Sequence, residues 1–179
     1  MRTHLIRALC AVLLIAAMAA PGIARAANSW NLPGEEIVRF DATVKDVLCV
    51  LSGDCPEDCG AGKRLLGLLK DDGELVLPIK NGGPFTGATN DLIGYCGQKI
   101  TVDGLFTINY GVKSFAMQFT KPAGGEWSRA NAFVKDWAAE RGLGLKDKKV
   151  RAWFRNDETI LELIEERGVL GLKDKGITP

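Results

Sequence analysis

The chain has 179 residues, 46% of them hydrophobic and 25% charged, with a formal charge of +1. That balance suits a folded core and excludes a low-complexity or disordered chain. It offers no basic excess for nucleic acid or anionic membrane, and its one histidine, His4, sets a limit on the chemistry available.

The first 26 residues read as an export signal. Arg2 and Arg7 give a positive start, Leu9 to Ala20 form an apolar run, and Ala24-Arg25-Ala26 is a small-x-small cleavage site. The run falls short of the roughly 20 residues that a membrane-crossing helix needs. No later apolar stretch is long enough either, so no membrane span is expected after cleavage. Cys10 precedes most of the run and is expected to leave with it. Cleavage after Ala26 leaves 153 of the 179 residues, with 20 of the 23 basic residues against all 22 acids. The mature chain is then slightly acidic and free of histidine. Ser-His-Asp and Cys-His nucleophiles, histidine acid/base work and histidine metal sites are thereby excluded. The expected destination is an oxidising extracytoplasmic space, most simply a bacterial periplasm.

Residues 27–36 read as an irregular arm. Short β-rich segments separated by turns then run to about residue 120. The expected strands are Ile37–Phe40 continuing through Thr43–Leu51, then Leu65–Leu69, Glu74–Ile79, Gln98–Asn109 and Val112–Thr120. Asp71-Asp72-Gly73 and Tyr110-Gly111 mark hairpins, and Asn81-Gly82-Gly83-Pro84 breaks the chain. Thr89-Asn90-Asp91 can cap a short helix through Tyr95. On the long fourth strand, Ile100, Val102, Leu105 and Ile108 are core candidates, and Gly104 suits a sharp bend. Five strands with a helix before the fourth predict an α+β fold: a five-stranded OB-like β-barrel over residues 27–122, with a β-sandwich as its rival.

The segments Thr43-Val44-Lys45-Asp46-Val47-Leu48-Cys49 and Tyr95-Cys96-Gly97-Gln98-Lys99-Ile100-Thr101-Val102-Asp103-Gly104 carry a resemblance. They are similar to the opening G-x-V-x-D-x-x-C and closing Y-x-G-K-x-V-x-V-x-G of small secreted bacterial OB-fold proteins. Ala42 replaces the opening glycine, and Gln98 is inserted before the lysine. The resemblance covers about residues 40–120 and speaks to fold more than to function.

Residues 123–179 read as a helical extension. Ser128 can cap a helix through Glu140, with Trp127, Phe133, Val134, Trp137 and Ala138 on one face. Asn156 or Asp157 can cap a second helix through Arg167, with Ile160, Leu161, Leu163 and Ile164 as its buried side. Gly142 and Gly168 suit left-handed stops. The helix ends repeat: Glu140-Arg141-Gly142-Leu143-Gly144-Leu145-Lys146-Asp147-Lys148 matches Glu166-Arg167-Gly168-Val169-Leu170-Gly171-Leu172-Lys173-Asp174-Lys175 with one inserted residue. This predicts a duplicated helix-plus-tail that packs on the barrel or on a partner.

Cys49, Cys55, Cys59 and Cys96 are the candidate site residues. In an oxidising compartment they are expected to form two structural disulfides, of three possible connectivities, with Cys49 or Cys59 as the partner of Cys96. As an alternative, the four thiolates could hold zinc or copper(I), although C-x5-C-x3-C is not the usual metal spacing. Dithiol redox exchange is the other alternative, and Asp54, Glu57 and Asp58 would disfavour a reactive thiolate there. Trp127, Trp137, Trp153 and Phe154 are read as core before ligand platform. No catalytic constellation stands out, and an enzyme built on Asp, Lys or Tyr has no sequence support. The expected function is therefore a non-enzymatic, exported binding or accessory protein without a cofactor. Its expected ligand is a protein partner or a small polar molecule, not nucleic acid.

Overall fold

The computed structural model describes residues 27–31, 34–79, 88–109 and 111–177. The expected signal peptide and the break at 81–84 lie outside them. Seven strands form one sheet: β1 (Glu36–Asp46), β2 (Leu66–Leu69), β3 (Leu75–Val76), β4 (Pro78–Ile79), β5 (Lys99–Asn109), β6 (Val112–Pro122) and β7 (Ser128–Arg129). The strand order is β3-β2-β1-β5-β6-β4, and β7 also pairs with β6. Every pairing is antiparallel except that of β4 with β6, which is parallel.

The closed five-stranded OB-like barrel is therefore corrected to an open seven-stranded sheet with helices. Two local events account for the difference. The expected third strand is interrupted at Leu77, so that β3 pairs only with β2 and β4 only with β6. The ladder consequently has no strand that closes it. The expected helix start at Ser128 is instead β7, laid against Phe119 and Thr120.

The end of β1 also departs from expectation. Val47–Ser52 forms helix α1, although its residues are rich in β-formers. Asp46 explains the switch. Its carboxylate accepts from the Leu48 amide at 2.8 Å and from Arg64 at 3.1 Å. Asp46 is buried, so those bonds offset a desolvation cost that would otherwise fall on an unpaired acid. Gly53 then stops the helix at φ 77°, a left-handed conformation natural to glycine.

The main core lies on one face of the sheet. Ala42 and Val44 of β1 alternate inward with Leu66 and Leu68 of β2, Ile100 and Val102 of β5, and Phe115 and Met117 of β6. Leu92, from helix α2 (Thr89–Leu92), covers them. That helix continues into a 3-10 turn through Tyr95, and its N-terminus at Ala88 has no side-chain cap. Gly104 stands at a register shift in the β5–β6 ladder. A Cβ there would run into the Ala116 carbonyl and approach the Phe115 ring at 2.8 Å. Close strand approach at a register shift, in place of the expected barrel bend, is what requires glycine here. Ile100, Val102 and Leu105 are buried, whereas Ile108 is exposed on the hairpin.

A second, smaller cluster lies on the other face. Ala27 packs on Leu105 and Ala116, with Trp30 and Ile79 beside them. The Asn28 amide donates to Gln118 Oε1 at 2.9 Å, and Gln118 Nε2 returns a bond to the Asn28 carbonyl at 2.8 Å. The arm is thus irregular in backbone yet fastened to β5 and β6.

The C-terminal region holds helices α3 (Ala132–Glu140), α4 (Lys148–Arg151) and α5 (Glu158–Arg167). Asp91 Oδ1 accepts from the Ala132 amide at 2.8 Å and so fixes the start of α3 to α2. Trp137, Ala138 and Val150 are buried together, with Phe133, Val134, Leu143 and Trp153 around them. Trp137 Nε1 donates to Asp157 Oδ2 at 2.7 Å, while Asp157 Oδ1 accepts from the Ile160 amide and caps α5. Trp127 does not join this cluster; it lies under the Arg39 guanidinium, 4.7 Å from its ring centre.

Candidate functional site

The four cysteines form two bridges, Cys49–Cys55 and Cys59–Cys96. Cys96 thus takes one of the two partners considered for it. A sulfur in a disulfide is not a thiolate donor, so none of the four is available to zinc or copper in this state. Among the described residues, no group of three or more His, Cys, Asp or Glu side chains is gathered for a metal.

The bridges occupy different settings. Cys59 is buried in the main core cluster, with Cys96 packed against it. It sits in an unusual turn: Asp58, Cys59, Gly60 and Ala61 all have positive φ, from 50° to 74°. For the three non-glycine residues that conformation costs about 1–2 kcal/mol each. The buried bridge holds the turn in place. Cys49 lies on α1 and Cys55 is exposed in the following loop. Arg64 clamps that loop, donating to Asp54 Oδ2 at 2.8 Å and to the Asp54 carbonyl at 2.9 Å. The Asp54 carboxylate, then Asp46, hold the Arg64 guanidinium above its ordinary pKa.

Exposure and loop length predict an order of reduction. The Cys49–Cys55 loop is short, worth about 2.4 kcal/mol in chain entropy, against about 4 kcal/mol for Cys59–Cys96. Titration with reductant followed by alkylation and mass mapping is expected to label Cys49 and Cys55 first, in a chain that stays folded. Simultaneous labelling of all four would contradict this order.

A different surface stands out at the C-terminus. Helix α5 has no buried residue. Leu161, Leu163 and Ile164, expected as a buried side, are exposed, and so are Val169, Leu170, Leu172 and Ile177 of the tail. The expected burial is corrected, and the cause is visible in the repeat. After the first helix and its tail, α4 and the Trp153 turn fold back and cover α3. The second is followed by a 3-10 turn, Lys173–Lys175, whose Lys173 Nζ donates to the Glu165 carbonyl at 2.7 Å. The same helix-stop residues are used twice, but among the described residues only the first apolar face is covered. Between α5 and the tail runs an open groove of about 380 Å³, lined by Ile160, Leu163, Ile164, Val169 and Leu170. Gly142 has the left-handed φ of 63° expected of it; Gly168 has positive φ but an extended ψ of 165°.

A second recess of about 360 Å³ lies between α2, β6, β7 and α3. Asp91, Tyr95, Arg129, Lys135 and Asp136 line it, so it carries both charge signs. Of the four aromatic residues read as core, Trp137 is buried, Trp153 is partly buried against it at 6.3 Å with Phe133 and Phe154 on its ring, and Trp127 and Phe154 lie outside the cluster.

Sequence reasoning passed over Asp103, which is buried mid-strand and takes Arg39 Nε at 2.7 Å. Its signal was available: an acid at mid-strand between Val102 and Gly104. It also passed over the Asp46–Arg64 and Trp137–Asp157 pairings, which no spacing rule connects.

Comparison with protein-family models, with curated proteins and with solved structures found no match.

Proposed function

We propose that the protein is an exported, non-enzymatic accessory protein of the bacterial periplasm that docks a protein partner through its C-terminal helical unit. The observation that carries this reading is the uncovered apolar face of α5 and its tail. Val169 is 69% exposed and Leu170 53%, with Leu163 and Ile164 beside them. Contiguous exposed apolar surface of this kind is costly to leave in water and is characteristic of interaction sites. The groove is open and helical on one side, which suits an apolar side chain from a partner segment. Two disulfides are compatible with an oxidising, extracellular location. Export is further supported by the Arg2-to-Ala26 pattern.

Site-specific photo-cross-linking in the producing cell tests the reading. A cross-linker at Leu163 is expected to give one discrete heterologous adduct, lost on adding Ile164→Asp. A cross-linker at Leu51, on α1 and 72% exposed, is expected to give none. The same adducts from both positions, or none from Leu163, would remove the support. An adduct of twice the chain mass would instead identify a second copy as the occupant.

A thiol redox factor is the second reading, favoured by the exposure of Cys55 alone. Ready equilibration of Cys49–Cys55 with a glutathione buffer would favour it over docking.

A further inference from the structure

The arm begins at Ala27, whose nitrogen donates to Asp103 Oδ1 at 2.7 Å. Asp103 is 2% exposed. Its other oxygen, Oδ2, accepts from Arg39 Nε at 2.7 Å and from Arg39 Nη2 at 2.5 Å. Ala27 itself is buried on Leu105 and Ala116. A backbone amide thus reaches across 76 positions of sequence to a buried carboxylate. The next amide is held as well, by Gln118. This is the residue that would begin the chain if the export signal is cleaved after Ala26.

We propose that cleavage of the Ala26–Ala27 bond creates an α-ammonium at Ala27 that docks on the buried Asp103 carboxylate, so that processing installs a salt bridge on the outer face of the sheet. The proposal rests on the export reading given above. A leader peptidase would supply the step, with water as co-reactant. The water oxygen joins the Ala26 carbonyl carbon, the C–N bond breaks, and the departing nitrogen takes up protons to become –NH3+ at neutral pH. Before cleavage Asp103 receives a neutral amide N–H at this oxygen; after it, a cation. The amide bond is already charge-assisted through its carboxylate acceptor; making the donor a cation adds direct charge–charge attraction, which is stronger where water is excluded. The contact also accounts for a buried acid at the middle of β5. Arg39 is 39% exposed at its side chain and occupies only one carboxylate oxygen, leaving Oδ1 for the arm. Leu105, Ala116 and the Gln118–Asn28 pair then act as the seat that brings the amine to the carboxylate.

The test is a cycle on the exported full chain. Its arms are the parent, a chain with Gly-Ser inserted between Ala26 and Ala27, Asp103→Asn, and the two changes combined. Intact mass is expected to place the parent's first residue at Ala27, and the inserted chain's at Gly-Ser. The insertion moves the charge away from Asp103 while leaving the Ala27 N–H in place. It is expected to lower the thermal midpoint by roughly 3–6 °C in the parent and by under about 1 °C in Asp103→Asn. An equal loss in both backgrounds, or none in either, would overturn the docking. If the Asp103→Asn chain does not fold, acylation of the terminal amine decides instead. The parent amine is expected to react about tenfold more slowly than the amine of the inserted chain, and equal rates would overturn the docking. An unprocessed chain, or one beginning elsewhere, would overturn the inference through the export reading, and the mass shows that separately.

Discussion

The Cys59→Ser, Cys96→Ser chain is expected to unfold roughly 8–16 °C below the parent, corresponding to a loss of about 4 kcal/mol. Three features set the size. The bridge closes a loop of 37 positions, long enough for a large entropic restraint on the unfolded chain. Both sulfurs lie in or against the main core, so their replacement by hydroxyls adds polar groups to an apolar site. The bridge also restrains the left-handed turn at Asp58–Ala61, which would relax once released. Relaxation returns part of the strain, which keeps the loss near the entropic figure and not above it. The matching Cys49→Ser, Cys55→Ser chain is expected to lose no more than about 2.4 kcal/mol. Differential scanning calorimetry on both chains checks the contrast, and equal midpoints would refute it.

Phe115→Ala is expected to cost about 3–5 kcal/mol in urea unfolding at constant m-value. Phe115 is fully buried on β6. Its ring lies 5.0 Å from that of Phe40 and 5.3 Å from that of Phe106, tilted against both. The edge of the same ring fills the space left by the missing Cβ of Gly104. Deletion therefore opens a cavity bordered by three strands and by a backbone that cannot move inward past the Ala116 carbonyl. Incomplete collapse is what makes such cavities costly. Phe40→Ala, on a partly exposed side chain of the same triad, is expected to cost less. A loss below about 1.5 kcal/mol for Phe115→Ala would show that the sheet relaxes more than this packing implies.

Where chain direction changes by local chemistry, the sequence was a good guide. Asp71-Asp72-Gly73 marked the β2–β3 turn, with Gly73 at φ 87°, and Gly111 marked the β5–β6 hairpin. Helices α3 and α5 were visible from their apolar spacing and from Asp157. Helix α1 was not, because Val47-Leu48-Cys49-Val50-Leu51 has strand-forming composition. Only the paired cap and stop, Asp46 and Gly53, distinguish it. The barrel was misread for a non-local reason. Whether Leu75 to Ile79 runs as one strand or as two bridges depends on β2 and β6, which approach it from opposite ends of the strand order. The exposed face of α5 was misread because period shows that a helix has an apolar side, not what covers it. The cysteines were legible as bridges but not in their pairing, since spacing carries no connectivity.

The two strands that finish the order, β3 and β4, contain two residues each. A sheet recruits an added strand through a row of unpaired amides and carbonyls at its margin. Two residues offer at most a pair of such bonds, too few to seat another chain in register. Each of these terminal strands is by itself a poor template for an added strand, which limits strand-to-strand aggregation there.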